Sequence, residues 1–424
     1  MANGASMIER LASQCLVLCA IIAFSIGAAY ADNSSATTAR HFDAQRLEKV
    51  EDYFRREVAA GHIPGAVVLI QQHGRPVLLQ SIGVRDVATG AAMTPDTIFR
   101  IYSMSKPITS VAVMMLVDDG RLKLGDDVAK YIPAFAEVKV ADMARDGKTV
   151  QSLQPLARPI TIEDLLRHTS GITYGFYGET AVRKLYATSN LFDDDIDNAT
   201  FANRLAKLPL AEQPGTVWDY GHSVDVLGRV IEVVSGQTLY QFEQERLLDP
   251  LGMHDTGFSL ADPDKRGRVA EPLPQDRFDE PIAGLDDPVR PRRWESGGAG
   301  MTSTLGDYAR FAQMLLNVGT LDGRRYLKAE TVASMTRDHL GPEIAHDDFY
   351  HPGPDSGFGL GFAVRISAAP PFTSREYRWD GVGGTFFFID PKDDMFAVVM
   401  MQSPTQRGRI EIETRRLIYE ALTP

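Results

Sequence analysis

Apolar positions recur at helical spacing over residues 43–60, where Leu47, Val50, Phe54 and Val58 share one face, and the period changes to that of a strand after Pro64. Residues 66–70 and 77–79, separated by His73-Gly74, read as the arms of a hairpin. Near the other end, residues 358–366, 377–379, 385–389 and 396–401 have strand character, and 410–422 closes the chain as an amphipathic helix. Terminal helices around mostly antiparallel strands predict one sheet assembled from both ends of the sequence. Between them helical patterns and loops dominate, among them 162–168 and the stripe Val224, Leu227, Ile231, Val234. The pattern divides the chain into a sheet domain drawn from residues 32–125 and 295–424 and a helical insertion over 126–294.

The first residues follow another pattern. Arg10 precedes an apolar run over 15–28, and Ala29-Tyr30-Ala31 forms a small-x-small site ahead of Asp32, so residues 1–31 are expected to be a cleaved signal peptide. An uncleaved anchor is the competing reading, but the run is shorter than the ~20 residues a bilayer span needs. Met1 or Met7 is the translation start, and the mature chain left by cleavage is expected in the periplasm or medium without stable membrane insertion. Both cysteines, Cys15 and Cys19, lie in this segment, which leaves no thiol, disulfide or Cys metal site afterwards.

With 424 residues, 44% hydrophobic and 24% charged, the composition is that of a globular protein of one large two-part domain or two domains. The net charge of -12 and pI near 5.3 leave no basic field for a polyanion, which argues against nucleic acid as a partner. Asp193-Asp194-Asp195 and the loop from His346-Asp347-Asp348 to His351 read as solvated loops, so neither metal nor cofactor is expected.

Candidate chemistry begins at Ser103-Met104-Ser105-Lys106, between strand-like residues 98–101 and a nearly all-apolar run over 108–117. A helix apolar all round is buried. Pro107 has no N–H and is tolerated only in a first turn, which places the helix start close to Ser103. Residues three apart share a helical face, so the Ser103 hydroxyl and Lys106 ammonium should meet where free N–H groups favour an oxyanion and a neutral lysine. Desolvation would lower the lysine pKa from about 10.4 and make it a base. Chance also produces this spacing, and the pair by itself fits a helix-capping Ser103 with a surface Lys106.

Residues 99–135 carry Phe-Arg-Ile-Tyr-Ser-Met-Ser-Lys-Pro-Ile-Thr and then Gly-Arg-Leu-Lys-Leu-Gly-Asp-Asp. Leu165-Leu166-Arg167-His168-Thr169-Ser170-Gly171, Trp218-Asp219-Tyr220-Gly221-His222-Ser223, Pro250-Leu251-Gly252-Met253, Ser296-Gly297-Gly298-Ala299-Gly300 and Trp379-Asp380-Gly381 follow in order. This series resembles the penicillin-recognising serine hydrolases, in the branch of class C β-lactamases, D-stereospecific peptidases and family VIII carboxylesterases, with the last closest in pattern. The resemblance spans about residues 43–420. It implies an α+β, β-lactamase/transpeptidase-like fold in which the helical insertion forms the other wall of the active site.

By the same resemblance Ser103 is the nucleophile of a Ser-x-x-Lys motif, Lys106 its base, and Tyr220 the Tyr of the Tyr-x-Asn motif, relaying a proton to the leaving group. The Ser103 and Val382 N–H groups would form the oxyanion hole. His222, Trp379, Asp380 and Gly381 would bind substrate, Gly381 by letting its strand approach closely. Two departures matter. His222 stands where β-lactamases have Asn, which leaves amide recognition open. Trp379 stands where they have the Lys that meets a substrate carboxylate, with Arg375 and Arg378 nearby in sequence; Trp here is familiar among family VIII esterases.

The expected activity is that of an exported serine hydrolase with an acyl-enzyme on Ser103, a carboxylesterase for neutral short-chain acyl esters. Its partner would be a small-molecule acyl ester or amide. The alternatives are a class C-like β-lactamase or D-stereospecific peptidase/amidase, a non-catalytic penicillin-binding-like protein, and an elbow-type hydrolase using Gly221-His222-Ser223-Val224-Asp225, whose fifth position is Asp where the elbow needs a small residue.

Overall fold

Helix α1 (Ala44–Ala59) starts where the Asp43 carboxylate accepts the Arg46 N–H, a cap for an otherwise unpaired donor. The hairpin β1 (Gly65–Gln72) and β2 (Arg75–Asp86) follows, then β3 (Ala91–Ala92) and β4 (Ile98–Arg100). The computed structural model describes residues 40–192, 195–260, 262–278, 285–346, 349–372 and 375–424; the expected signal peptide, Asp193-Asp194 and Asp347-Asp348 lie outside them. Residues 41–423 form one contact unit.

After β4 come α2 (Ser105–Asp118), the hairpin β5 (Val140–Met143) and β6 (Val150–Gln154), and helices α3 (Ile162–Leu166), α4 (Ala181–Thr188), α5 (Asn198–Leu205), α6 (Ser223–Ser235) and α7 (Leu239–Glu243). The β5–β6 hairpin lies inside the region read as helix and loop. Its second arm is exposed at four of five positions, so burial imposed no apolar alternation on it. Among the described residues no helix is long and apolar enough to cross a membrane.

The chain then supplies β7 (Thr302–Thr304), α8 (Leu305–Leu316), β8 (Ser356–Phe358), β9 (Ala363–Arg365), β10 (Tyr377–Asp380), β11 (Phe386–Asp390), β12 (Met395–Met401) and α9 (Arg407–Glu420). The main sheet has eight strands in the order β8-β9-β10-β11-β12-β1-β2-β3, with every pairing antiparallel. Strands from both ends meet at β12 and β1, where Met401 faces Ala66 and Met395 faces Gln72. The single strand expected over 358–366 is two strands, β8 and β9. A Cβ at Gly359 would lie 2.0 Å from the Met335 carbonyl and Gly361 has φ +96, so the backbone turns there.

All seven residues of β12 are buried, yet they serve two cores. Met395, Ala397 and Val399 join Ala66, Val68 and Ile70 beneath α1 and α9; Phe396, Val398 and Met400 join Val67 and Leu69 beneath α2 and α8. A strand covered by helices on both faces reads as a continuous apolar run for this reason. Outside the main sheet, β4 pairs with β7, and the Ile101 N–H donates to the Met301 carbonyl. That ribbon lays the segment entering Ser103 beside the loop at 296–300.

Candidate active site

Ser103 lies in a single 3-10 turn, Tyr102–Met104, and α2 proper begins at Ser105, two residues later than the nucleophile-at-helix-start reading. All residues of α2 from Ser105 to Leu116 are buried. Tyr102 has φ +41, a conformation costly for a bulky residue, and holds it because its ring packs edge-on to Phe278 and against Gly383. A Cβ at Gly383 would lie 2.7 Å from that ring. Ser105, the second hydroxyl of the motif, is fully buried and accepts the Met301 N–H, which makes it structural.

Lys106 is 1% exposed, and its Nζ lies 3.3 Å from Ser103 Oγ, 3.1 Å from Tyr174 Oη and 2.8 Å from the Gly298 carbonyl oxygen. Burial lowers its pKa to about 7, against the opposing pull of Asp225 and Asp380. A neutral amine has two N–H groups and one lone pair. The carbonyl requires an N–H and Tyr174 takes the second, which leaves the lone pair for the Ser103 proton.

Tyr174 is the residue that sequence reasoning missed. It follows the motif at 165–171 by three residues, and its loop reaches Lys106 because Gly221 has no side chain: a Cβ there would lie 2.2 Å from the Ile172 carbonyl oxygen. Ser170 and Ser223 close the same contact through their hydroxyls at 2.9 Å. Ser223 is fully buried in that bond, which removes it as an elbow nucleophile.

Tyr220 presents its ring to Lys106, with Nζ 4.6 Å from the centroid, and its Oη faces Ser103 and Trp379 without a well-formed hydrogen bond to either. The ring is wedged among Trp218, His168 and Trp379 at 5.9, 4.8 and 5.4 Å. Burial, more than the neighbouring Tyr177, pushes its pKa well above the usual phenol value, and burial does the same to Tyr174. Both phenols therefore hold their protons at neutral pH. In that state they can donate, and Lys106 is the group able to accept a proton.

The facing wall is the end of β10. Trp379 is 4% exposed, stands against Tyr220 and Phe358, and lines the cleft with Asp380. A Cβ at Gly381 would lie 2.3 Å from the Ile101 carbonyl oxygen, so the close approach that this glycine permits is to the chain entering Ser103. The Val382 N–H donates to no atom among the described residues, and Val382 and Ser103 line one cleft of about 350 Å³. Arg378, inside the wall, donates to Ser356 Oγ and the Pro352 carbonyl and lies 3.5 Å from the Glu376 carboxylate. Arg375 is exposed and does not line the cleft. At the rim Arg407 donates to the Pro404 carbonyl, and burial followed by Asp380 raises the Glu411 carboxyl to about 7.

His222 is brought near the site but not into the cleft. It is 4% exposed, its Nδ1 lies 3.0 Å from Asp225 Oδ2, and its ring stands edge-on to Tyr174 at 4.4 Å. Burial opposes ionisation of Asp225, yet His222, Lys106 and Ser296 together hold its carboxyl below the ordinary range.

The fold and this arrangement define a serine hydrolase of the β-lactamase/transpeptidase type. The chain belongs to the β-lactamase family, which matches residues 50–420. Protein Rv1367c of Mycobacterium tuberculosis is 37% identical over 360 residues, 82% of this chain and 88% of that protein. Esterase EstB of Burkholderia gladioli is 32% identical over 402 residues, 89% and 95% of the two chains. Among solved structures, EstCE1, described as a hydrolase with promiscuous acyltransferase activity, superposes with a TM-score of 0.74 at 28% identity, covering 89% of this chain and 99% of its own.

Proposed function

We propose that this protein is an exported carboxylesterase that hydrolyses neutral short-chain acyl esters through an acyl-enzyme on Ser103. The observation that carries the reading is the cleft wall opposite Ser103. Trp379 and Asp380 stand where a carboxylate-binding lysine is expected, and Arg378 is committed to Glu376 and to the backbone. A neutral acyl group meets an apolar face there, whereas a carboxylate would be desolvated beside Asp380. The esterase and hydrolase names of EstB and EstCE1 support the same class. Export rests on the N-terminal pattern alone.

In the proposed sequence, the Lys106 amine takes the Ser103 proton while Oγ bonds to the ester carbonyl carbon, and the oxyanion accepts from the Ser103 and Val382 N–H groups. As the carbon–oxygen bond to the leaving group breaks, Tyr220 gives that alkoxide its proton and recovers one from Lys106 through the local hydroxyls. Water then attacks the acyl-enzyme, loses its proton to the same relay, and Ser103 leaves with a proton as the carboxylic acid is released. Arg407 at the rim favours a second reading, a β-lactamase or D-stereospecific peptidase that uses this cation for a substrate carboxylate.

Rapid quenching of the enzyme with p-nitrophenyl butyrate, followed by peptide mass spectrometry, tests the proposal. A butyryl group on the peptide containing Ser103, absent in Ser103→Ala, is expected. Acylation of Ser223, or turnover unchanged in Ser103→Ala, would refute it.

A further inference from the structure

We propose that Glu243, a core carboxyl outside the cleft, is a positioning residue for Lys106: kept protonated, it sets Thr109 and, through Thr109, the Gly297–Gly298 peptide. This inference rests on the reading of Lys106 as the base.

Thr109 Oγ1 lies 3.0 Å from Glu243 Oε1 and 3.0 Å from the Gly297 carbonyl oxygen. A hydroxyl has one proton, and both neighbours are acceptors if the carboxyl is ionised. Each contact is a full two-centre hydrogen bond when Glu243 donates its proton to Thr109 and Thr109 donates to Gly297; an ionised carboxylate would have to share the single hydroxyl proton with the carbonyl. The surroundings agree. Glu243 is fully buried, its second oxygen has no partner, and no cation lies within ion-pair distance of it among the described residues. Burial raises its pKa well above the ordinary carboxyl value, outweighing the opposing contact with Thr109, and the charged neighbour acting on it, Glu295, also opposes ionisation.

The peptide so reached is pinned at both ends. Its C=O accepts from Thr109, and its N–H, that of Gly298, donates to Asp225 Oδ1 at 3.1 Å; Ser296 Oγ donates to the same oxygen at 2.6 Å. The next carbonyl, Gly298 O, is the 2.8 Å acceptor of Lys106 Nζ. A side chain at either glycine would crowd these same groups: a Cβ at 297 would lie 3.0 Å from Thr109 Cγ2, and one at 298 would lie 2.8 Å from Asp225 Oδ2. An ionised carboxylate on one side and a neutral carboxyl on the other therefore aim the carbonyl that orients the lysine. Besides Gly298 O, Lys106 faces Ser103, Tyr174, Tyr220, Asp225 and Asp380, and it acts on the buried His168, which burial first and then Lys106 keep neutral.

The test compares Glu243→Gln, a neutral side chain of the same shape, with Glu243→Leu and Thr109→Val. Glu243→Gln should stay within about 3-fold of the parent, while Leu and Val variants should lose about 10-fold or more in kcat with KM nearly constant, the loss of one aligned hydrogen bond. The acid limb of the kcat/KM profile should move to lower pH in those two, because a displaced Gly298 carbonyl no longer favours the ammonium. Infrared difference spectra of the parent against Glu243→Gln at pH 7 should contain a protonated-carboxyl C=O band, a readout that does not depend on how well the Leu variant folds. A carboxylate band instead, or a Gln variant as impaired as the Leu variant, would overturn the proposal. Failure of the base reading would appear separately, as near-normal turnover in Lys106→Ala, and the infrared band would still decide the protonation of Glu243.

Discussion

Lys106 Nζ bonds to the hydroxyl of Tyr174 at 3.1 Å, while Tyr220 offers it the face of its ring. The two phenols therefore have different tasks. In the proposed sequence Tyr174 sets where the amine points, and Tyr220, which lines the cleft with its hydroxyl facing Ser103, protonates the leaving group. Tyr174→Phe should lower kcat by about 10-fold, the loss of one hydrogen bond of roughly 1.4 kcal/mol. Tyr220→Phe and Lys106→Ala should each cost at least about 100-fold, and the double variant much less than the product, because they act in one relay. Steady-state kinetics on one ester measures all four variants, and equal effects of the two Phe substitutions would contradict the division.

The buried amine makes both activity and stability depend on pH. Since its pKa is lowered to about 7 in the folded protein, kcat/KM should rise through that value as pH increases, and raised phenol pKa values keep it high above neutrality. The unfolded chain binds a proton at Lys106 up to about pH 10.4, so between the two values unfolding takes up a proton and stability rises with pH. Urea unfolding of the parent and Lys106→Met should show the parent gaining relative to the variant from pH 7 to 10. A constant difference would mean that the lysine stays charged.

Glu376 ties the cleft wall to α9. It is fully buried, bonds to Arg415, and lies 3.5 Å from Arg378 and 4.0 Å from Arg365. Burial opposes its ionisation, but the three guanidinium groups keep its pKa below the ordinary value. Glu376→Ala should destabilise the protein by about 3 kcal/mol, since it removes the fully buried carboxylate shared by Arg415, Arg378 and Arg365 and leaves Glu411 at 3.7 Å and Asp355 at 3.9 Å as their remaining carboxylates. Denaturant titration checks this, and a change under about 1 kcal/mol would show the network to be dispensable.

Much of the frame is legible in the sequence because it depends on local periodicity. The stripe at Leu47, Val50 and Phe54, the fully apolar run of α2 and the strands meeting at β12 each declare which sides are buried. Ser103 and Lys106 are legible for the same reason, as residues three apart on one turn. What surrounds them is not, because the contacts are remote: Lys106 reaches Tyr174 across 68 positions and Gly298 across 192. The glycines that make those contacts possible, Gly221 and Gly297, are visible as letters, but the backbone or side chain each admits is not. The roles of His222 and Trp379 depended on which way a side chain faces. His222 turns to Asp225 behind Tyr174, whereas Trp379 lines the cleft.

The wall made by Trp379 and Asp380 carries the functional account, and substrate preference tests it most directly. The measurement is kcat/KM for p-nitrophenyl butyrate against a chromogenic cephalosporin in one buffer. Both acylate a serine, but only the cephalosporin places a carboxylate against that wall, so the ester should lead by at least about 100-fold, about 2.7 kcal/mol in transition-state binding. Cephalosporin turnover equal to or above that of the ester would contradict the account and would assign the missing lysine's task to a cation at the rim, Arg407 first among them.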